Sequence, residues 1–185
     1  CPVNEIKVDQ AGRLNYLTVQ EHGPSLWQIA TQVAEVGRDA HVSLSQVALG
    51  GAYARARIDT KMTGQGSSSE ISAVYFGRHN ARHDFRTFQK HEAPHSNSNL
   101  LFKGVVDDES RAIYTGLIRI EPAAGDVNAY QTNRTLKLSE KAWAESVPNL
   151  EIENNDVKCS HASAVGPIDE DQKFYLESRG VPTDI

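Results

Sequence analysis

Two residues near the end of the chain, Cys159 and His161, have side chains that could bind a metal ion together. On a β-strand, residues two positions apart point to the same side with their Cα atoms about 6.6 Å apart, so a sulfur and an imidazole nitrogen can converge on one ion. Thiolate and imidazole ligands suit zinc, copper and iron–sulfur centres. The alternative is that Cys159 packs inside the protein while His161 lies on the surface.

The number of ligands limits what this pair can do alone. A closed tetrahedral site needs four donors, and Cys159 with His161 supplies two, because Cys1 lies at the terminus. Either other parts of the chain or a second protein must complete the site. A free thiol with a pKa of about 8.5 is mostly protonated at neutral pH, so reactivity at Cys159 would require a cationic neighbour such as Lys158, or a metal.

Four further histidines, His79, His83, His91 and His95, lie within one short stretch. His79 and His83 have the four-residue spacing of a helical metal-binding pair, but Gly77 and the alternation that follows argue against a helix. We expect these histidines to line turns. Metal-dependent catalysis at His79, His83 and His91 is the weaker alternative.

Composition excludes several classes of function. The net charge of −5 gives no electrostatic reason to bind nucleic acid or anionic lipid. The serine-rich segment after Gly64 lacks the Lys-Ser or Lys-Thr of a phosphate-binding loop, so no ATP-hydrolysing motif is present. The sequence contains no long apolar run for a membrane span and no secretory signal, and its two cysteines do not form a disulfide framework. We therefore expect a cytoplasmic protein with no membrane partner.

The elements that must position Cys159 and His161 are predicted to be strands. Apolar and polar residues alternate in the segments 54–59, 100–106 and 112–120. Turn-forming residues separate such runs, and two runs make a unit of roughly 25 to 30 residues, which fits a solenoid; an antiparallel sandwich gives a similar count. The predicted turns are Gly50-Gly51, Gly64–Gly66, Gly77–Asn80, Pro94–Asn97, Asp107-Asp108 and Pro122–Gly125.

Two helices are also predicted. Ser139 can cap a short helix that runs through Ala144 and ends before Pro148. A second helix would begin after Asp169 as N-cap, supported by Gln172 three residues later. We expect this second helix to cover the open end of the β stack, because an unpaired strand edge invites aggregation.

From Lys90 onward the chain contains a series of short motifs in a fixed order. They are His91-Glu-Ala-Pro94, Phe102-Lys-Gly-Val-Val106, Gly116-Leu-Ile, Ala129-Tyr-Gln-Thr-Asn-Arg134, Leu136-Lys-Leu-Ser139, Pro148-Asn-Leu-Glu-Ile152, Asp156-Val-Lys-Cys-Ser-His161, Val165-Gly166 and Phe174-Tyr-Leu-Glu-Ser-Arg-Gly180. This series resembles the SufB/SufD family of iron–sulfur cluster assembly scaffolds, on its SufD side. One departure is Ala162, where the family pattern has a glycine, and we expect it to alter the turn after His161.

The resemblance implies an all-β, right-handed parallel β-helix over residues 1–168 and the start of a C-terminal helical region over 169–185. The chain starts without a methionine, and we interpret it as the core of a longer protein. The resemblance further implies pairing with SufB and docking of the ATPase SufC, and it leaves open a homodimer of the core. Iron or a nascent cluster, shared transiently with the partner, would meet His161 and, less certainly, Cys159, whereas Lys103 is carried over as an interface residue.

These observations favour a noncatalytic scaffold over two rivals. A SufB-type scaffold would carry a Glu-His-Glu type of segment near its C-terminal end, and none follows Glu151. A β-helix enzyme, such as a polysaccharide lyase or an acyltransferase, would require a groove lined by carboxylates, lysine and arginine, or a hexapeptide repeat. Neither feature is visible in the sequence.

Overall fold

The computed structural model describes residues 1–182, which form twelve β-strands and one α-helix. The strands are Val3–Val8 (β1), Arg13–Gln20 (β2), Trp27–Val36 (β3), His41–Ala48 (β4), Tyr53–Met62 (β5), Ser68–Gly77 (β6), Arg82–His91 (β7), Asn97–Val106 (β8), Arg111–Ile120 (β9), Val127–Lys137 (β10), Trp143–Ile152 (β11) and Val157–Pro167 (β12); the helix is Glu170–Ser178 (α1).

Successive strands alternate between two parallel six-stranded sheets. Odd-numbered strands form the first sheet in the order β1-β3-β5-β7-β9-β11, and even-numbered strands form the second in the order β12-β10-β8-β6-β4-β2. Each pair of strands is therefore one coil, and residues in register on adjacent coils are 26 (Trp27 and Tyr53) to 32 (Arg111 and Trp143) residues apart. This arrangement confirms the parallel β-solenoid and rules out the antiparallel sandwich.

The predicted alternation sets the inward faces of the strands. In β9, Ala112, Tyr114, Ile118 and Ile120 are buried, as are Leu100, Phe102, Gly104 and Val106 in β8. Side chains of equivalent inward positions stack from coil to coil, because parallel strands lie about 4.8 Å apart in register. The rings of Phe85, Phe102 and Tyr114 continue this stack across the interior, with centroids 5.3 and 5.2 Å apart.

Gly104 is required by a close approach inside the solenoid. A Cβ atom at this position would lie 1.9 Å from Cζ of Tyr75, which is the neighbouring inward residue on β6. Because Gly104 has no side chain, the Tyr75 ring passes over it, and its hydroxyl forms a 2.6 Å hydrogen bond with Oγ1 of Thr135 on β10. The glycine of the Lys-Gly motif therefore has a packing role.

One corner of the solenoid repeats the same backbone conformation in five coils. The residue there has a φ between +53° and +72°, the left-handed region. Its N–H donates to a carbonyl of the next coil at 2.8 to 3.2 Å, so the corners form a line of hydrogen bonds outside both sheets. The donors are Ala11, Asp39, Gly66, His95 and Asp126.

The predicted helix from Ser139 to Ala144 is wrong. Ser139 does cap a turn, since its Oγ accepts a 3.2 Å hydrogen bond from the backbone N–H of Ala142, but β11 starts at Trp143. Pro148 lies inside this strand instead of ending a helix. Proline is tolerated there because β11 is the edge strand of its sheet.

The second predicted helix is confirmed as α1. Asp169 is its N-cap, and the Asp169 carboxylate accepts a 2.9 Å hydrogen bond from the backbone N–H of Gln172. The helix buries none of its residues, however, so the expectation that it covers the open end of the β stack is wrong. The one helix of residues 1–182 is not long and apolar enough to cross a membrane.

Candidate functional site

Cys159 and His161 lie on β12, the last strand of the second sheet. Cys159 is in register with Ala129 of β10, and His161 is in register with Gln131. Ala129 and Gln131 are buried, so Cys159 and His161 also point toward the interior. No further coil follows β12 in the described part of the chain, and this inward face is therefore open. We call the coil formed by β11 and β12 the terminal coil.

Cys159 is half-buried and packs against the apolar cluster at the end of the core. Burial raises the pKa of its thiol, so Cys159 is a protonated thiol at neutral pH. Lys158, the cationic neighbour considered from the sequence, is exposed and points to the opposite side of the strand. The cluster consists of Ile118, Ile120, Ala124, Val127 and Ala129.

His161 is exposed at the open end, two positions along the same face of β12. Its solvent access leaves the imidazole available to a ligand. Across residues 1–182, no three His, Cys, Asp or Glu side chains are close enough together to hold a metal ion. The terminal coil therefore places Cys159 and His161 on one face, without a third side chain of these types close enough to complete a metal-binding group in residues 1–182.

Two buried carboxamides lie directly beneath this face, and the sequence interpretation did not single them out. Gln131 and Asn133 are each 2% exposed and occupy consecutive inward positions of β10. Gln131 is in register with His161, and Asn133 is in register with Ser163. Oε1 of Gln131 and both amide atoms of Asn133 have no hydrogen-bond partner among the described residues.

The expected turn after His161 is absent. β12 continues without interruption from Val157 to Pro167, and Ala162 is an exposed residue within it. Alanine in place of the family's glycine is compatible with this conformation, because an extended strand needs no positive φ. The departure from the family pattern therefore leaves Cys159 and His161 on one face.

The four central histidines are not brought together. His79 and His95 lie in turns, as expected, and pair with Asp108 at 3.2 Å and Asp126 at 2.7 Å. His83 and His91 are instead buried inside the solenoid, so the expectation that all four line turns is wrong for these two.

The surroundings of His91 are polar and fully paired. Its Nδ1 lies 2.7 Å from Oγ of Ser96, and its Nε2 lies 2.8 Å from Oγ of Ser98. Burial lowers the pKa of His91 to about 4, and it also lowers the pKa of His83. Both side chains are therefore neutral at pH 7, and their placement does not favour a catalytic metal centre.

The outer face of the first sheet carries a shallow groove of about 630 Å³ that includes Arg57, Asp59 and Arg86. Asp59 forms a 2.8 Å ion pair with Arg57, and the pKa of the Arg57 guanidinium is raised by that hydrogen bond. Arg86 pairs with Asp84 at 3.2 Å. The groove therefore contains carboxylate and arginine side chains, but its buried carboxylate, Asp59, is paired with Arg57, which does not favour a general acid or base of the β-helix enzyme hypothesis.

Lys103, carried over as an interface residue, is exposed on the outer face of β8. It is in register with Arg134 of β10, which is also exposed. The two cations are therefore neighbours on the outer face of the second sheet, on the side opposite to His161.

Comparison with known proteins identifies the family. The model of the SufBD core domain of the SUF system for iron–sulfur cluster assembly matches residues 1–184. The match includes the first 41 residues, where the sequence motifs gave little information.

Curated relatives have the same family names. The chain is 32% identical over 186 residues to an iron–sulfur cluster assembly SufBD family protein of Mycobacterium tuberculosis, covering 96% of this chain and 47% of the relative. It is 33% identical over 176 residues to the iron–sulfur cluster assembly protein SufD of Escherichia coli, covering 95% and 42%. SufD of Bacillus subtilis is 37% identical over 123 residues, covering 66% and 28%. The chain spans about half the length of the first two relatives and belongs to the SufBD core family of the SUF system for iron–sulfur cluster assembly.

Proposed function

We propose that this chain is the core of a noncatalytic scaffold subunit that pairs with a SufB-type subunit through its terminal coil. Iron or a nascent cluster is the cargo, bound transiently between the two subunits. His161 supplies one ligand, Cys159 supplies a second, and the partner supplies the rest. The observation that supports this proposal is that Cys159 and His161 share the inward face of a coil that no further strand of residues 1–182 covers.

The shape of the terminal coil supports pairing with another protein. β11 and β12 are the edge strands of their sheets, and their outward edges have no strand beside them in residues 1–182. Such edges present unpaired backbone groups that can bind a partner strand. A stable interface would bury about 800 Å² on each partner.

We also propose that the ATPase SufC docks on the helical region that begins after Asp169. The described part of that region, α1, exposes Phe174, Tyr175 and Leu176, which is an apolar surface for a partner. In this arrangement the partner hydrolyses ATP and this chain acts as the scaffold, which agrees with the lack of a phosphate-binding loop in its sequence.

The direct test is His161→Ala in the complete complex with SufB and SufC. We expect cluster assembly, followed by its visible absorption under anaerobic conditions, to slow by about tenfold or more, the range for losing one metal-site contact. Ser160→Ala is the matched control, because Ser160 is exposed on the same strand and points to the other side. Unchanged assembly in His161→Ala would remove the role given to His161.

The proposed pairing with SufB can be tested separately, by sedimentation. Sedimentation of the chain mixed with SufB should show a heterodimer, and Ser163→Arg or Val165→Arg on the exposed inward face of β12 should weaken it. Sedimentation of the chain alone measures any homodimer. A mixture that sediments as separate subunits would contradict the proposed pairing.

A further inference from the structure

A directional chain of hydrogen bonds runs through the interior of the solenoid toward His161. It starts at the carbonyl of Ala93, which accepts a 2.9 Å hydrogen bond from Oγ of Ser96. Because the Ser96 hydroxyl has one proton, Ser96 must accept the 2.7 Å bond from Nδ1–H of His91. The neutral imidazole then has its lone pair on Nε2, so Ser98 donates its hydroxyl proton to Nε2 at 2.8 Å.

The same reasoning assigns the donor and acceptor atoms of the next two residues in the chain of hydrogen bonds, Gln89 and Gln131. Ser98 has donated its proton, so its oxygen accepts the 2.9 Å bond from the Nε2 amide of Gln89. Oε1 of Gln89 then accepts the 3.4 Å bond from Nε2 of Gln131. The chain therefore orients the Gln131 side chain, and it leaves Oε1 of Gln131 as an acceptor with no partner in residues 1–182.

An acceptor this deeply buried is rarely left unpaired in a folded protein. Gln131 is 2% exposed, and the residue in register with it on β12 is His161, about 4.8 Å away across the sheet. The His161 imidazole has one N–H in its neutral form, and rotation of its two side-chain bonds can direct that N–H toward Gln131. No other residue of β12 is in register with Gln131.

We propose that Gln131 is a positioning residue for His161: its Oε1 accepts a hydrogen bond from the imidazole N–H and selects one tautomer. The other ring nitrogen then presents its lone pair to the open end, ready to bind a metal ion. A hydrogen-bond acceptor that binds the remaining N–H of a metal-binding histidine orients the imidazole ring in this way. The inference rests on the proposed function, because positioning matters only if His161 is a ligand.

The tautomer can be measured in the chain alone, without iron or a partner. Nitrogen-15 NMR of the imidazole, at a pH where His161 is neutral, should show one tautomer in the wild-type protein. In Gln131→Met, which keeps the length of the side chain and removes the acceptor, His161 should show the mixture of free imidazole. Asn133→Leu is the matched control and should leave the single tautomer, because Asn133 is in register with Ser163.

A mixed tautomer in the wild-type protein, or a single tautomer retained in Gln131→Met, would overturn the inference. The first of these needs no variant and so does not depend on whether Gln131→Met folds. In the complete complex, Gln131→Met should slow cluster assembly by about tenfold and cause no further loss when added to His161→Ala. Additive losses would overturn positioning through His161, whereas unchanged assembly in His161→Ala alone would overturn the proposed function and leave the tautomer result standing.

Discussion

The central coils and the terminal coil follow the same alternation but differ in what their inward side chains meet. In β9, Tyr114 and Ile118 are at most 1% exposed, because another coil lies on each side. In β12, the equivalent inward residues His161 and Ser163 are exposed. Whether an inward position belongs to the core or to an exposed surface therefore depends on whether a further coil covers it, and not on the strand itself.

The largest expected effect is on the pH dependence of stability. It distinguishes His91, which is buried in a central coil, from His161, which is exposed on the terminal coil. Burial lowers the pKa of His91 from 6.5 to about 4, so between these values the unfolded chain binds a proton that the folded chain does not. Its contribution to the free energy of unfolding is complete above pH 6.5 and falls by about 3 kcal/mol as the pH approaches 4. Urea unfolding across this range should show a shallower pH dependence in His91→Gln.

His161→Gln is the control for this experiment, because His161 is exposed. It should retain the pH dependence of the wild-type protein. The pKa of His83 is lowered in the same direction, and its contribution remains in both variants. Equal pH dependence in His91→Gln and wild type would show that His91 does not cause the loss of stability in acid.

An intermediate effect is expected from one added methyl group. Gly104→Ala places a Cβ against the Tyr75 ring and should lower the free energy of unfolding by about 2 kcal/mol, the range for overpacking a core. Gly166→Ala on β12 is the matched change, because no atom lies within 4 Å of its added Cβ. Its effect should stay within about 0.5 kcal/mol. Gly166 faces outward, in register with the exposed Leu136, so the comparison isolates the packing around Gly104, and similar losses in the two variants would contradict the close approach of Tyr75.

The smallest expected effect on stability is for Cys159. Its side chain is half-buried, between the fully buried positions of the central coils and the exposed positions of the terminal coil. Its contact with the terminal apolar cluster is partial, so Cys159→Ala should cost less than about 1 kcal/mol. Because burial raises its thiol pKa, Cys159 in a Cys1→Ser background should react slowly with a thiol reagent at pH 7 and faster at alkaline pH. Rapid labelling at pH 7 would show that Cys159 is an activated thiolate.

Most of the strands could be predicted because their information is local, whereas the choice of a parallel solenoid over an antiparallel sandwich came from the family resemblance. Alternation and turn residues are properties of short segments, and segments 100–106 and 112–120 became strands with the predicted faces. The helix at Ser139 was predicted from the same kind of local signal, but the position of β11 at the sheet edge decided otherwise. That position depends on the order of all the coils, so the tolerance of the edge for Pro148 could not be read from neighbouring residues.

The candidate site also has one part that could be predicted from local sequence and one part that depends on distant residues. The common face of Cys159 and His161 follows from the two-residue period of a strand and was predicted. The role inferred for Gln131 depends on Gln89, which is 42 residues away, and on a strand that lies a full coil later. Polar residues also occupy the outward face of β10, at Thr132 and Arg134, so the pattern there gave no sign that Gln131 was buried.

The line of hydrogen bonds at the left-handed corner has a mechanical consequence. A pull along the solenoid axis would have to break the two sheet ladders and this third line of bonds together. The solenoid should therefore be stiff and resist extension along its axis. Because α1 directly follows β12, an ATPase docked on the helical region, as proposed above, would pull on the terminal coil first, and the rest of the solenoid would resist that pull as one unit and would not stretch coil by coil.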